Sequence, residues 1–410
     1  MCRRARMSWA LYDWGNSAFA TTVMAGFFPV FFKEYWASGL SATDSTFWLG
    51  VGNSAASTLM VLFAPLIGAL ADQGNRKKHY LLLFAFLGAL MTSSLFLVAS
   101  GMWPIALLLY ALGIIGFSGS IVPYDALLVD VAEEDELDRV SALGYAMGYL
   151  GGGLLFALNV FMVLKPQVFG LIDTGQAVRV SFLMVGIWWA LFSIPVMLFV
   201  HERHPRPANP HALRGALKEI RENFREVGRY RRVVLFLLAY WLYIDGVDTI
   251  VRMAVDYGLA IGFESSDLLT ALLITQFVGF PAALVFGYLG DRYGPRKGIM
   301  IALAVYIIIV FWAWRMQAIW EFYALAVVIG LVQGGIQSLS RSLYARLIPQ
   351  DRAGMFYGVY NMLGKFAAVI GPLLVGWVAA VSGDSRLGIL AVLFLFVGGF
   401  AALQFVTLKK

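Results

Sequence analysis

The sequence predicts an all-α membrane protein in which twelve transmembrane helices form two six-helix bundles. Three observations lead to this fold class: twelve long apolar stretches, a low content of charged residues, and one basic segment midway along the chain. A bilayer core of about 30 Å is crossed by roughly 20 apolar residues in a helix. Each stretch is long enough, and the basic segment leaves six of them on either side.

The composition excludes a water-soluble globular domain. Of 410 residues, 60% are hydrophobic and 14% are charged, whereas soluble domains carry about 25% charged residues. The single cysteine, Cys2, excludes a disulfide framework and a thiolate metal site within one chain. The four histidines all fall in or beside expected loops, so neither a metal site nor a cofactor is expected. They are His79, His201, His204 and His211.

The apolar stretches define the expected spans and domains. The spans are 10–33, 47–70, 79–99, 103–128, 141–164, 181–200, 233–254, 267–289, 298–315, 319–340, 355–380 and 386–407. Residues 1–200 form the first predicted bundle, 201–232 a cytoplasmic linker, and 233–410 the second bundle. The linker predicts an amphipathic helix lying on the membrane surface, because its apolar residues recur at helical spacing. That face comprises Leu213, Leu217, Ile220, Phe224 and Val227.

Basic residues predict the orientation. Most of the 31 Lys and Arg residues fall on one side of the expected membrane, which the positive-inside rule assigns to the cytoplasm. Both termini are therefore expected to be cytoplasmic. Arg341, Arg346 and Arg352 are assigned here to the connection between helices 10 and 11.

The net charge of +6 reflects this asymmetry of basic residues, so nucleic acid is not an expected partner. The expected partners are the lipid bilayer and a small-molecule substrate, and the chain is expected to be a monomer.

The two halves of the sequence contain matching motifs in the same order. Asp72 follows Gly68 by four residues at the end of helix 2, and Asp291 follows Gly287 by four at the end of helix 8. An Asp-Arg pair precedes both helix 5 and helix 11, at 138–139 and 351–352. Internal repeats of this kind indicate transporters whose substrate site lies between the halves, near the middle of the membrane.

The 287–297 loop, Gly-Tyr-Leu-Gly-Asp-Arg-Tyr-Gly-Pro-Arg-Lys, resembles the signature of the major facilitator superfamily. Its key positions are Gly287, Asp291, Arg292, Gly294 and Arg296. The copy that begins at Gly68 is one residue shorter and lacks the Arg after Asp72. Residues 9–18, 144–152 and 360–366 resemble one branch, which contains the fungal vacuolar amino-acid effluxers and bacterial relatives of unknown substrate. The resemblance implies the major facilitator fold, amino-acid export and, for so compact a chain, a bacterial inner membrane.

The same resemblance implies a gating role for the two signature carboxylates. Asp291 is expected to face the start of helix 5 near Ser141, and Asp72 the start of helix 11 near Gly354. A helix N-terminus offers free N–H groups and a favourable dipole to a carboxylate. These contacts would close the cytoplasmic side in one state and part in the other. The alternative is that each loop charge only sets the topology.

Ionisable residues inside spans are costly and are therefore functional candidates. In helix 7, Asp248, Arg252 and Asp256 are spaced for internal pairing, which leaves Asp245 without a local partner. Lys365 in helix 11 lies at a similar depth, one turn beyond Asn361. Two interpretations stay open: Lys365 pairs with Asp245, or it receives a substrate carboxylate, with Asp245 as its exchange partner.

Other polar residues recur at helical spacing. In helix 10, Gln333, Gln337 and Arg341 form a ladder that would hydrogen-bond a polar solute or join helices.

Helix 1 carries two further candidates, Asp13 and Asn16, near the cytoplasmic end, where helix 4 carries Asp125. If Asp13 and Asp125 approach each other, like charges would favour a shared proton and hence proton coupling. Alternatively, each pairs with a basic loop residue such as Arg139.

The acidic segment 130–138 is interpreted as a solvated turn. Gly144 and Gly148 predict close packing of helix 5.

The leading hypothesis is a secondary active transporter that works by alternating access on a small, amino acid-like polar solute. Helices 1, 4, 7 and 10 would line the cavity. Alternatives are an exporter of sugars, organic acids or drugs, or a transporter-like receptor without transport. An enzyme is not expected, because no catalytic constellation is visible. The sequence lacks the Gly-rich loop with Lys-Ser/Thr that binds nucleotide phosphates, which argues against an ATP-driven pump.

Overall fold

The computed structural model describes residues 3–203, 230–260, 264–383 and 385–406. Within these ranges, twelve helices are long and apolar enough to cross a membrane, as the sequence predicted. In chain order they are α1 Arg3–Trp36, α2 Thr43–Asp72, α3 Lys77–Leu97, α4 Trp103–Ala126, α5 Leu137–Leu164, α6 Thr174–Phe199, α7 Arg231–Val251, α8 Asp267–Tyr293, α9 Pro295–Arg315, α10 Ile319–Leu347, α11 Gln350–Ala379 and α12 Arg386–Gln404.

Most helix ends lie within about four residues of the expected spans, and two differences matter. First, α10 continues to Leu347, so Arg341 lies inside the helix and not in the connection that follows it. Second, α1 is interrupted by π-helical turns at Phe19–Phe27 and Phe32–Trp36, a wide helix geometry often found at functional sites. The amphipathic face expected in the linker lies outside the described residues, so the linker and the domain boundaries stay predictions.

Polar contacts define one end of the bundle, called here the signature end. It holds the connections α2–α3, α4–α5, α8–α9 and α10–α11, together with the first turns of α1 and α7. The opposite end is called the far end. The two bundles meet where α2 packs against α11 and α5 packs against α8. Within the first bundle, α5 also packs along α1.

Glycines permit the predicted close packing of α5. A Cβ atom at Gly148 would lie 2.6 Å from the Ser17 hydroxyl oxygen, and one at Gly151 would lie 2.5 Å from the Trp14 ring. Both distances are too short for a real side chain. The small face of α5 therefore brings α1 close enough for its polar side chains to reach α4 and α5.

The crossing of α2 and α11 is tighter still, because backbone contacts backbone there. A Cβ atom at Gly68 would lie 1.9 Å from the carbonyl oxygen of Gly354, and one at Gly354 would lie 2.5 Å from that of Gly68. Gly358, one turn further along α11, meets the carbonyl oxygen of Ala64 in the same way. This crossing holds the two halves together at the signature end.

Gly354→Ala is expected to lower the midpoint of thermal unfolding, because the new methyl group has no room beside Gly68 and Asp72. Overpacking of this kind costs about 1–3 kcal/mol. The matched control is Gly376→Ala in the same helix, where an added Cβ would meet nothing within 4 Å. Thermal unfolding of the purified variants in detergent measures the difference. Equal midpoints for the two variants would mean that this crossing does not limit stability.

Candidate functional site

Asp72 binds the N-terminus of α11. Its Oδ1 atom accepts the backbone N–H of Gly354 at 2.8 Å, and its Oδ2 atom accepts that of Met355 at 2.8 Å. Asp72 is buried, so the two N–H groups and the helix dipole compensate its charge. This is the placement that the family resemblance implied. The gating role of the contact stays a prediction.

A second buried carboxylate extends this contact. The ammonium of Lys77 donates to Asp130 at 2.9 Å and lies 4.0 Å from Asp72. Asp130 also accepts the backbone N–H of Arg203, at 2.7 Å. The sequence interpretation of segment 130–138 as a solvated turn holds for the exposed residues 133–135, but it is wrong at both ends, because Asp130 and Asp138 are fully buried. The network joins the end of α2, the start of α3 and the residues that follow α6.

Asp291 reaches the first turn of α5, but its partner there is the guanidinium of Arg139. Ser141, the expected neighbour, instead donates its hydroxyl to the carbonyl oxygen of Ser338 at 2.8 Å. Gly287 allows the approach, because a Cβ atom there would lie 2.5 Å from the Cβ atom of Ala142. The signature residues Gly287 and Asp291 thus lie against α5. Arg292 faces Tyr288 and Tyr293 at the surface.

Arg346 adds a further contact between the halves at this end. From the last turn of α10 it donates to Asp138 at 2.9 Å and to the carbonyl oxygen of Glu134 at 2.6 Å. Asp138 also accepts the hydroxyl of Ser342. Arg296 is directed to the residues that follow α12, where it donates to the carbonyl oxygen of Val406 at 3.0 Å.

The centre of the signature end is a buried arginine. Arg341 is 1% exposed and donates from Nη1 to Asp125 Oδ1 at 3.0 Å. Its Nε and Nη2 atoms donate to the hydroxyl and the carbonyl oxygen of Ser141, at 2.9 and 2.8 Å. Asn361 donates to the other carboxylate oxygen of Asp125 at 3.0 Å. These four residues, called here the inter-half gate, join α10 and α11 of the second bundle to α4 and α5 of the first.

Aromatic rings surround the guanidinium. Its central carbon lies 4.8 Å from the ring centroid of Trp9, 5.3 Å from that of Tyr124 and 4.4 Å from that of Tyr145. Each ring face attracts a cation. The sequence placed Arg341 in a polar ladder and in a loop, but gave no sign of this cage. The only signal for its burial is the run of small residues around it, Ser338, Ser340 and Ser342.

Asp13 lies beside the inter-half gate. It accepts the hydroxyl of Tyr124 at 3.1 Å and that of Ser17 at 3.3 Å. Tyr124 connects Asp13 to the aromatic cage and precedes Asp125 in α4. The alternative left open by the sequence was a basic loop partner such as Arg139. Asp125 does pair with a basic residue, but this residue is Arg341, whereas Arg139 pairs with Asp291. Asn16 is 1% exposed, and its side-chain amide makes no hydrogen bond within the described part of the chain.

A cavity of about 280 Å³ lies toward the far end and is lined mainly by the second bundle. Its described lining is mainly apolar and includes residues of α1, α5 and the six helices of the second bundle. Of the four helices expected to line it, α1, α7 and α10 do so. No described residue of α4 does. Gln333 lines this cavity, whereas Gln337 and Arg341 follow at one and two turns toward the signature end. Its hydrogen-bonding side chains are Thr21, Tyr149, Thr249, Thr275, Gln276 and Gln333.

The two charged candidates in the second bundle lie apart from the apolar lining. Asp245 is buried and accepts the backbone N–H of Gly371 at 2.9 Å, beside Pro372 in α11. The ammonium of Lys365 lies 5.9 Å from the ring centroid of Phe117 in α4, so it faces the first bundle. The side chains of Arg252 and Asp256 lie outside the described residues. Both roles suggested for Lys365 stay predictions.

The similarity of this chain to known proteins defines its class: a major facilitator superfamily transporter, and not an enzyme. The chain belongs to the family described as "Vacuole effluxer Atg22 like", whose family model matches residues 42–410. It is 37% identical over 401 residues to the uncharacterized transporter YxiO of Bacillus subtilis, which covers 97% of this chain and 94% of that protein.

More distant similarities agree with this assignment. Autophagy-related protein 22 of Yarrowia lipolytica is 27% identical over 282 residues, which cover 60% of this chain and 46% of that protein. The aligned part is therefore about half of the fungal relative. The human organic anion transporter MFSD10 has a similar fold, with a TM-score of 0.76 at 17% identity over 98% of this chain and 99% of that one. FucP in its outward conformation gives 0.73 at 13% identity, over 99% and 100% of the two chains.

Arg341→Gln is expected to loosen the signature end, because Asp125 would lose its charged partner inside the protein. Removing one member of a buried pair typically costs ~3–5 kcal/mol. In a Cys2→Ser background, Ser338→Cys places a thiol at a position that is fully buried. Its rate of maleimide labelling in detergent should rise at least about tenfold in Arg341→Gln, since about 1.4 kcal/mol already corresponds to a factor of ten.

The matched control is Arg315→Gln, which removes an exposed arginine at the far end of α9. It should leave the labelling rate unchanged. Labelling that is equally slow in both variants would mean that Arg341 does not hold the signature end closed.

Proposed function

We propose that this protein is a secondary active transporter that moves a small, amino acid-like solute across a bacterial plasma membrane by alternating access. The observation that carries the proposal is the position of the cavity relative to the inter-half gate. The cavity lies toward the far end, where the second bundle and residues of α1 and α5 line it, while Arg341 and Asp125 join the halves on its signature side. Such an arrangement corresponds to a state closed at the signature end.

The orientation proposed for this state follows from basic residues. The signature end carries the basic N-terminal tail, the connections with Arg76, Lys77 and Lys78, and the entry to the central linker. By the positive-inside rule this end faces the cytoplasm, and both termini lie there. The closed signature end would then make this an outward-facing state. Export would require the gate to open toward the cytoplasm, so that solute can enter from that side.

The chemistry of the interface supports an amino acid-like solute with an apolar side chain. The described lining supplies apolar contacts together with the amides of Gln276 and Gln333. Lys365 lies one turn beyond Asn361 in α11 and would receive the carboxylate. On this proposal, the ammonium group of the solute would approach Asp245 or the amide groups. The amide groups alone would suit a sugar as well as an amino acid. The role of Lys365 therefore distinguishes these two classes of solute.

We further propose that protons couple to this cycle through Asp125 and Asp13. Asp125 holds Arg341 and Asn361 across the interface. A proton on Asp125 would remove the charge that holds Arg341 and would weaken the closed signature end. Asp13 shares Tyr124 with the aromatic cage, so it would pass or hold the proton beside the gate.

Counterflow of a labelled amino-acid panel in proteoliposomes tests the solute class. The wild-type protein should accumulate one class of amino acid, and Lys365→Ala should reduce that accumulation to background. Lys165→Ala is the matched control, because it removes an exposed lysine at the far end of α5 and should leave counterflow intact. Full counterflow in Lys365→Ala would remove Lys365 from the site. No accumulation of any amino acid by the wild type would overturn the solute class and direct the screen to sugars, organic acids and drugs.

Asp13→Asn and Asp125→Asn test proton coupling. Each should lose accumulation driven by a pH gradient and retain counterflow of solute, because the asparagine cannot take up the proton. Glu34→Gln, an exposed site at the far end of α1, is the control and should keep gradient-driven accumulation. If both aspartate variants still accumulate solute against its gradient, these carboxylates do not carry the proton. If the wild type never does so, the protein is a facilitator.

A further inference from the structure

A groove on the outer face of the first bundle is separate from the solute cavity. It measures about 790 Å³ and lies along α3, with Met197 as its one described lining residue from α6, and it begins at the signature end. Its floor is apolar, and its basic residues lie only at that end. The lining residues are Lys78, His79, Leu82, Leu83, Phe86, Leu87, Leu90 and Met197.

The apolar part of the groove runs along one face of α3. Residues 79, 83, 86 and 90 recur at intervals of four, three and four, so they share a face of the helix. From 79 to 90 this face is about 16 Å long, at 1.5 Å per residue. Leu83 and Leu90 are 62% and 61% exposed, and in a membrane-spanning bundle this exposed face meets lipid. The length suits part of an acyl chain.

The polar end of the groove carries positive charge. The ammonium of Lys78 donates to the carbonyl oxygens of Met197 and Val200, at 3.0 and 2.9 Å. These are uncharged acceptors, and no described carboxylate lies within ion-pairing distance of this ammonium. An ammonium has three N–H donors, so one is left for a ligand. His79 and the nearby Arg76 are exposed. Glu202 uses Oε1 to accept the backbone N–H of Lys78.

We propose that this groove binds an anionic phospholipid. The phosphate would accept hydrogen bonds from Lys78 and His79, and one acyl chain would lie along Leu83, Phe86 and Leu90. Basic pockets between membrane helices at the cytoplasmic surface select anionic headgroups, and a phosphate forms strong charge-assisted hydrogen bonds with an ammonium. The apolar face favours a lipid over a soluble phosphate.

The corresponding described positions of the second half carry no cation after the signature, which gives an internal comparison. The signature repeat aligns Arg76-Lys77 with Arg296-Lys297. The positions that follow are Lys78 and His79 in the first half and Gly298 and Ile299 in the second, where both are buried. The proposed site is therefore expected in the first half and not at the matching position of the second.

The position of this site links the lipid to the signature end. Lys78 follows Lys77, which pairs with Asp130 beside Asp72. Lys78 also binds the last turn of α6, next to the linker entry. A headgroup held by Lys78 and His79 would fix the start of α3 against the end of α6, and so would stabilise the network that closes this end.

Native mass spectrometry of the purified full-length protein tests the proposal, with phosphatidylglycerol as the anionic probe and phosphatidylcholine as the neutral one. The wild type should bind one phosphatidylglycerol about fivefold more tightly than phosphatidylcholine, because the ammonium of Lys78 contributes about 1 kcal/mol toward an anionic lipid. The double variant Lys78→Gln with His79→Gln should lose this preference. The control Arg3→Gln with Arg4→Gln removes two exposed charges from the same end and should keep it.

A second variant guards against misfolding of the first. Leu83→Trp leaves Lys78 and His79 in place but fills the groove, and it should also lose the tight binding of phosphatidylglycerol. An unchanged preference in both the charge and the groove variants would overturn the site. An equal loss of the phosphatidylglycerol preference in the Arg3 and Arg4 control would mean that the preference reflects general surface charge and not this groove. Displacement of the bound lipid by inorganic phosphate alone would mean that the acyl groove contributes nothing.

Discussion

The burial of Arg341 between the two bundles is the constraint on which the closed signature end depends. A guanidinium inside a membrane protein loses its hydration, and only strong local partners offset that loss. Here Asp125 supplies the opposite charge, Ser141 accepts two hydrogen bonds, and three ring faces surround the cation. These partners come from α1, α4 and α5, whereas Arg341 belongs to α10. The arginine is therefore satisfied only while the two halves are together.

Small residues make room for this arrangement. A Cβ atom at Gly144 would lie 2.7 Å from the Tyr124 hydroxyl, 2.9 Å from the Trp9 ring and 3.0 Å from Nη2 of Arg341. Glycine at this position thus lets α5 approach the cage. The two copies of the signature make different kinds of contact between the bundles. Asp72 binds backbone N–H groups of α11, whereas Asp291 binds the side chain of Arg139. The shortened first copy of the signature accompanies a more buried carboxylate.

The sequence predicted the helices well, because spans of apolar residues and the signature spacing are local properties. It placed Asp72 beside Gly354 through the family resemblance. It missed the burial of Asp130, Asp138 and Arg341 for one physical reason: charges near helix ends were assigned to solvent, while their partners are distant in sequence. Arg341 and Asp125 are separated by 216 residues. Helical periodicity shows which residues share a face, but not which helix that face meets.

The placement of Asn361 and Lys365 on one helix has a consequence for coupling. These residues are one turn apart in α11, so they share a face; Asn361 binds Asp125 while Lys365 faces α4 at Phe117. A solute carboxylate that draws Lys365 toward the cavity would act on the same helix segment that contributes Asn361 to the gate. Ligand binding at Lys365 and opening of the gate at Asn361 would then be coupled through a single turn of α11. The coupling is reciprocal: whatever opens the gate must also change the affinity for the solute.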